Sequence, residues 1–317
     1  MLEILDMAVA LPARQQTMAE ASTDLALSHK DSRMYARFFG LQSFAHDPEE
    51  PLAAMVGAAV AGLAPGQDDL VVHCHTLLSS GPSRMDTRLP IHAYAGCEAF
   101  SATMCHCASG VAVLELLERM LEPGQTALVI VADKAFHPAV RLIRNTTIMG
   151  DGAVALRVGH SKGRYAFVGG HSERRGRYSI ITGRLDDVTD PGFAAEYVEL
   201  TAACIERAVA KAGIAIGDLA LVMPHNVNLP SWEQIAQRLG ATRGQIYLQN
   251  VPRYGHTFGA DPFLNLHDAD RAGLLATGDH VALVSVGLGA TAACAILRVG
   301  VRADMKDMKS QPERSVA

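Results

Sequence analysis

The sequence has no concentration of positive charge. Lys and Arg number 28 against 33 Asp and Glu, giving a formal net charge of −5, and the basic residues form no dense stripe. Nucleic acid and acidic membrane surfaces are poor partners for such a chain, because both are gripped through clustered Lys and Arg. A membrane-length apolar run is also missing. The longest low-charge stretch, LAAMVGAAVAGLAPG from Leu52 to Gly66, falls short of the ~18 residues a span needs and reads as a buried, Ala-rich helix. The opening MLEILDMAVALPA carries Glu3 and Asp6 where a secretory leader carries positive charge, so a cytoplasmic location is expected. Without a secretion signal, the six cysteines (Cys74, Cys97, Cys105, Cys107, Cys204 and Cys294) are expected to be reduced thiols. Aromatic residues make up only 5%, with Trp232 the sole tryptophan.

What is present is a compact α/β pattern. The 317 residues are 49% hydrophobic, and strand-length apolar runs alternate with longer helical ones. A weak internal repeat runs through them. Gly66-Gln-Asp-Asp-Leu-Val-Val and Gly124-Gln-Thr-Ala-Leu-Val-Ile-Val lead into strands in the first half. Gly217-Asp-Leu-Ala-Leu-Val-Met and Gly278-Asp-His-Val-Ala-Leu-Val do so in the second, at offsets of 149 (Asp69 to Asp218) and 154 (Gly124 to Gly278) residues. Duplicated halves are one reading, and the recurrence of Gly before buried strands in any α/β protein is the other. Gly159 to Tyr178, glycine-rich and basic, reads as a loop or hairpin at the junction. Arg302 to Ala317 loses all periodicity and reads as a frayed tail.

Four stretches can carry chemistry. Met104-Cys-His-Cys-Ala-Ser-Gly110 precedes a helical pattern with Val111, Leu114, Leu117 and Leu121 on one face, stopped by Pro123-Gly124. A thiol at such a helix start faces free N–H groups and the positive end of the dipole, which favour a thiolate nucleophile. Cys107 is best placed for it, with plain packing of a small buried residue as the alternative. Zinc is not expected, since His73, His75, Cys97, Cys105, His106 and Cys107 are neighbours or one apart rather than spaced as ligand pairs. Met223-Pro-His-Asn-Val-Asn228 puts His225 at a strand's carboxyl end, and Ser231-Trp-Glu-Gln234 has the form of a capping box before a helix ending at Gly240. In Arg253-Tyr-Gly-His-Thr-Phe-Gly-Ala-Asp-Pro262, His256 lies between glycines and Asp261-Pro262 reads as a helix cap with Pro at the first position. Gly287-Leu-Gly-Ala-Thr-Ala is a glycine turn after a buried strand, where backbone N–H groups can approach a ligand closely. Together these suggest thiolate attack on a thioester with imidazole support and N–H groups for the oxyanion.

The order and spacing of these pieces resemble the thiolase superfamily, and within it the 3-oxoacyl-ACP synthase III-like enzymes, over about Ile4 to Val299. That family's Cys-Ala-Gly-Phe is similar to Cys107-Ala-Ser-Gly110, and its Phe-Gly-Asp-Gly-Ala to Met149-Gly-Asp-Gly-Ala153. Its His-Gln-Ala-Asn is similar to His225-Asn-Val-Asn228, its Gly-Asn-Thr-Ser to Gly255-His-Thr-Phe258, and its terminal Gly-Gly-Gly to Gly287-Leu-Gly289. The resemblance implies a thiolase fold, five-layered αβαβα, in two similar halves (1–165 with the nucleophilic Cys and 166–317 with both His), usually as a homodimer. It implies Cys107 as the acyl-accepting nucleophile, His225 and His256 as its partners, and an oxyanion hole from the backbone N–H groups of Cys107 and Gly289. No cofactor or metal is implied.

The departures bear on function. His256 stands where synthase III enzymes have Asn, and Phe258, Gly259 and Asp261 replace small residues nearby. The Trp and Arg pair that grips the CoA adenine has no counterpart around Met34 to Arg37. The expected activity is therefore acyl transfer in specialised metabolism: from acyl-ACP or acyl-CoA to Cys107, then to a carrier thiol, hydroxyl or amine, with Asp261 available to orient a histidine base. Decarboxylative condensation with a malonyl thioester is the alternative, and a non-catalytic subunit of a thiolase-fold heterodimer is the second. The acyl group is expected to be set by loops such as Leu77 to Leu89.

Overall fold

A computed structural model describes residues 1–76, 97–103, 105–178 and 192–302. The loop from Leu77 to Leu89 and nearly all of the expected frayed tail lie outside the described residues. Nine strands form one sheet: β1 (Glu3–Ala10), β2 (Leu70–Cys74), β3 (Glu98–Ala102), β4 (Thr126–Asp133), β5 (Gly152–Gly159), β6 (Tyr165–Arg174), β7 (Leu219–Met223), β8 (His280–Gly287) and β9 (Thr291–Val299), in the order β7-β8-β9-β6-β1-β5-β4-β2-β3. The two sides of this order repeat each other. In the first half β2 runs parallel to β3 and β4 while β5 lies antiparallel to β4 and β1. In the second, β7 runs parallel to β8 while β9 lies antiparallel to β8 and β6. The counterpart of β3 is reduced to a parallel bridge between Val222 and Ile246. The halves meet where β1 pairs antiparallel with β6, Ile4 opposite Tyr165.

Helices complete the layers. Helix α1 (Leu52–Ala61) covers β1, β4 and β5 from outside, and α3 (Gly192–Lys211), with α4 (Leu229–Leu239) against it, covers β6 and β9. Helices α2 (Ser109–Met120) and α5 (Asp261–Arg271) lie between the two half-sheets, α2 touching β4 on one side and β9 on the other. This is the five-layered arrangement of the thiolase fold. Its largest apolar core is the central layer, where Val111, Leu114 and Leu117 of α2 meet Val131, Phe263, Leu283 and Leu297. The periodicity expected for α2 thus faces the core as a helix buried on both sides requires.

Two local expectations give way. Residues 165–174, within the stretch expected as a loop or hairpin at the junction, form a ten-residue strand that pairs with β1 and β9 and so closes no local hairpin. Its glycines serve close packing: a Cβ on Gly169 would lie 3.0 Å from the Ala212 nitrogen, just beyond the end of α3. Helix α4 is capped by Asn228, whose side chain accepts from the Ser231 N–H at 2.9 Å, so Ser231 is the third helical residue and not the cap. Gly240 closes that helix with φ 66°, as its position after Leu239 implies. The six cysteines are free thiols. Among the described residues, no helix is long and apolar enough to cross a membrane.

The central layer sets a test. A Cβ on Gly110 would lie 2.9 Å from Val131 and 3.1 Å from Phe263. Gly110→Val is therefore expected to lower the urea-unfolding free energy by about 1–3 kcal/mol through overpacking. Gly217→Ala, with nothing within 4 Å, should stay within about 0.5 kcal/mol of the parent; equal losses would show that Gly110 is not a packing constraint.

Candidate active site

Cys107 sits in a short 3-10 turn, His106–Ala108, that feeds the amino end of α2, and it is buried. Thr76, just after β2, directs its hydroxyl at the sulfur at 3.6 Å, while its N–H donates to both carboxylate oxygens of Asp133 at 3.0 and 2.9 Å. The other half holds the Cys107 backbone. Ser285 of β8 donates to the Cys107 carbonyl at 2.8 Å, and a Cβ on Gly259 would come within 3.0 Å of that same oxygen. The glycine turn after β8 packs against the residues before Cys107: a Cβ on Gly287 would strike the Cys105 carbonyl at 2.1 Å. Gly289 has φ 116°, a conformation side chains rarely adopt, and faces the His106 ring.

His225 follows β7 and His256 follows the short helix Val251–Tyr254, and their rings stand 5.6 Å apart between centroids. Both are buried but differently treated. His256 Nδ1 lies 2.5 Å from Asp261 Oδ2, which leaves Nε2 for the Cys107 sulfur. Burial opposes charge on His256, yet the charges of Asp261 and Cys107 and their hydrogen bonds outweigh it and raise its pKa to about 10. His225 is pushed well below its usual value, first by burial and then by the neighbouring His256 charge. Its Nε2 lies 2.6 Å from the Tyr197 hydroxyl. The backbone of Val284 pulls weakly the other way, although Nδ1 forms no well-made hydrogen bond. The backbone carbonyl of His225 accepts from Trp232 Nε1 at 2.8 Å.

Asp261 does not cap α5; Ala260 does, and Asp261 is the first helical residue. Its carboxylate faces back, accepting from Thr257 N at 2.7 Å, Thr257 Oγ1 at 2.5 Å, Asn226 N at 2.6 Å and Asn226 Nδ2 at 3.1 Å, besides His256. Asn265 extends this network, donating to the Pro224 carbonyl at 2.7 Å and to Asn226 Oδ1 at 2.9 Å, and accepting from Asn250 at 2.9 Å. The Met149-Gly-Asp-Gly-Ala153 stretch braces the same loop. Gly150 N donates to the His256 carbonyl at 2.8 Å, His256 N to Ile148 O at 3.1 Å, and Asp151 pairs with buried Arg141 at 2.9 Å.

The structure thus gathers Cys107, His225, His256, Asp261 and the 287–289 turn in one place. Sequence reasoning missed Tyr197, Thr76, Ser285 and the three asparagines. For Tyr197 a signal existed: it lies one helical turn before Thr201 on a helix whose buried face includes Leu200 and Cys204, and a tyrosine near a core must find a partner for its hydroxyl. Among the described residues, no group of three or more His, Cys, Asp and Glu side chains could hold a metal ion.

Comparison with known proteins fits this geometry. Residues 209–299 match the family model of the 3-oxoacyl-[acyl-carrier-protein] synthase III C-terminal region. The β-ketoacyl-[acyl-carrier-protein] synthase III of Clostridium tetani is 33% identical over 94 residues, covering 30% of this chain and 28% of that protein. That of Fusobacterium nucleatum is 28% identical over 217 residues, covering 61% and 65%. The match thus spans under two thirds of either relative. A solved structure named as the acyltransferase ChlB3 superposes with a TM-score of 0.79 at 21% identity, covering 94% of this chain and 98% of its own. The protein has the thiolase fold. Over residues 209–299 it is similar to the C-terminal region of 3-oxoacyl-ACP synthase III.

The raised His256 pKa links protonation to stability. With an unfolded value of ~6.5, its contribution is complete below that pH and is lost as the pH climbs through about 10. Between pH 8 and 10.5 the urea-unfolding free energy of the wild type should fall more than that of His256→Gln. Equal falls would mean that His256 is neutral in the folded protein.

Proposed function

We propose that this chain is an acyltransferase that takes an acyl group from acyl-ACP or acyl-CoA onto Cys107 and passes it to a carrier thiol, hydroxyl or amine. The observation that carries the reading is the line from Cys107 through His256 to Asp261 at 2.5 Å. A carboxylate fixed on the far nitrogen of an imidazole is what repeated proton transfer needs, and formation of a carbanion by decarboxylation does not require it.

The protons balance over the cycle. The Cys107 thiolate attacks the donor thioester, and its tetrahedral intermediate places negative oxygen against the backbone N–H groups we assign to Cys107 and Gly289. The imidazolium of His256 gives its proton to the departing carrier thiolate and becomes neutral. Neutral His256 then removes the proton from the acceptor nucleophile, which attacks the Cys107 thioester. Collapse returns the thiolate and the imidazolium. Asp261 holds the same tautomer throughout and stabilises each cationic stage. His225, neutral and without charge to offer, assists at the acceptor side.

A surface cavity of about 460 Å³ is lined by His29, Lys30, Arg33, Met34, Arg37 and Phe38, and its cations suit a phosphate. The proposal includes a division of the halves at 165/166 and a homodimer, the arrangement the resemblance implies. Decarboxylative condensation is the competing outcome: two imidazoles stand 5.6 Å apart, the pair that would hold a thioester carbonyl if both had a free N–H.

Incubation with a panel of acyl thioesters is expected to add the acyl mass to the wild type and not to Cys107→Ala; an adduct on the variant would sink the covalent route. Challenge of the acylated protein with malonyl-ACP should release no carbon dioxide, and release would decide for condensation. Asp261→Asn should slow transfer from Cys107 by about 10²–10⁴-fold, the usual worth of a positioned acid–base group. Activity of the purified chain alone would dispose of a non-catalytic subunit role.

A further inference from the structure

The hydroxyl of Tyr197 occupies the nitrogen through which His225 would reach a substrate. Tyr197 lies in α3, and Thr201 one turn later donates its hydroxyl to the Tyr197 carbonyl at 2.7 Å, fixing the backbone there. Its ring meets Phe193 edge-on at 5.9 Å and the His225 ring edge-on at 6.0 Å. The residue as a whole is only partly buried, but its hydroxyl lies at the enclosed end, 2.6 Å from His225 Nε2. Burial, reinforced by the charge of Cys107, pushes the phenol well above its usual value, so it stays protonated at any working pH and lies near the nucleophile.

Two hydrogen placements are possible, and they lead to the same consequence. If Tyr197 donates to Nε2, the imidazole proton is on Nδ1, which is turned to the Val284 backbone without a well-made hydrogen bond. If Nε2 donates to the phenol oxygen, the hydroxyl proton turns toward the space around Cys107. In neither case does His225 present a free N–H to a carbonyl at the reacting centre. Decarboxylation of a malonyl thioester breaks the bond to its carboxylate, releases carbon dioxide and leaves the electron pair on the thioester oxygen as an enolate. That oxygen needs preorganised donors, and here one of the two imidazoles is already engaged.

We propose that Tyr197 is a positioning residue for reaction choice: by holding His225 Nε2 it withholds the second donor that malonyl decarboxylation needs, and it leaves the acceptor side of the site to a protic nucleophile. The inference rests on the transfer reading above and adds its structural cause.

The test measures carbon dioxide released from malonyl-CoA and from malonyl-ACP by wild type, Tyr197→Phe, Tyr197→Ala and the double variant Tyr197→Phe/His225→Gln. Acyl labelling of Cys107, read by mass in every variant, reports that the site is assembled. The wild type should release nothing above the blank. Tyr197→Phe, which keeps the ring and frees Nε2, or Tyr197→Ala, which also opens space, should gain release on the order of the 10²-fold that one oxyanion donor is worth. The double variant should return to the blank, because the gain runs through His225; a gain that survives in it overturns the proposal. Silence in both single variants while Cys107 still labels also overturns the role given to Tyr197 and leaves the transfer reading intact. Loss of labelling in both would place Tyr197 in the acylation step and overturn it too. Release by the wild type would instead remove the transfer reading itself.

Discussion

The site depends on one buried carboxylate. Asp261 is fully enclosed at the start of α5, and an ionised carboxylate in such a place is tolerable only when every lone pair is used. Its partners come from two separate loops: the backbone and side chain of Asn226 from the loop after β7, and His256 and Thr257 from the loop before α5. The positive end of α5 adds to the same effect. Because Asn226 adjoins His225, the carboxylate fixes the distance between the two histidines while setting the charge of one of them.

That charge makes the histidines unequal. Asp261 and Cys107 together hold a proton on His256 despite burial, and the resulting cation, with burial, drives His225 toward neutrality. Two like residues 5.6 Å apart therefore differ in charge, the pattern that under the proposed transfer would let one site perform acid and base steps at a single pH. Tyr197 is compatible with only one side of this division. A phenol that cannot ionise is a comfortable partner for a neutral imidazole, and would be a poor one for a carboxylate-paired imidazolium.

How much of this could be read from the chain varies with the range of the interaction. The strands, the central helix α2 and its buried stripe follow from local periodicity, and the ordered motifs around Cys107, His225, His256 and Gly289 pointed to the fold. The junction strand 165–174 did not read correctly, because Gly169 and Gly170 signal a turn locally and serve packing against Ala212 and Phe167 only in three dimensions. Asp261 has two readings in the sequence, a cap, since Asp before Pro at a helix start is commonly one, and a carboxylate orienting a histidine; the folded chain shows it turned onto His256. Ser285, 178 residues from the Cys107 carbonyl it holds, leaves no mark that spacing could reveal. Tyr197 was overlooked because a single tyrosine on a helix is ordinarily packing.

The duplicated architecture explains why the chemistry sits where it does. Each half brings the carboxyl ends of its parallel strands toward the central helices, and α2 and α5 enter that layer from opposite halves. Cys107 introduces α2 and Asp261 begins α5, so two helix amino ends converge with their positive poles near one sulfur and one carboxylate. A single half would offer one such pole and no opposing residue to clamp it. With both, Ser285 of the second half donates to the Cys107 carbonyl of the first while Gly259 leaves room for that oxygen, and the Cys107 backbone is held by the same half that carries His225 and His256. Displacing either half would move the Cys107 thiol relative to His256, so the packing of the central layer also sets the alignment on which the proposed transfer depends.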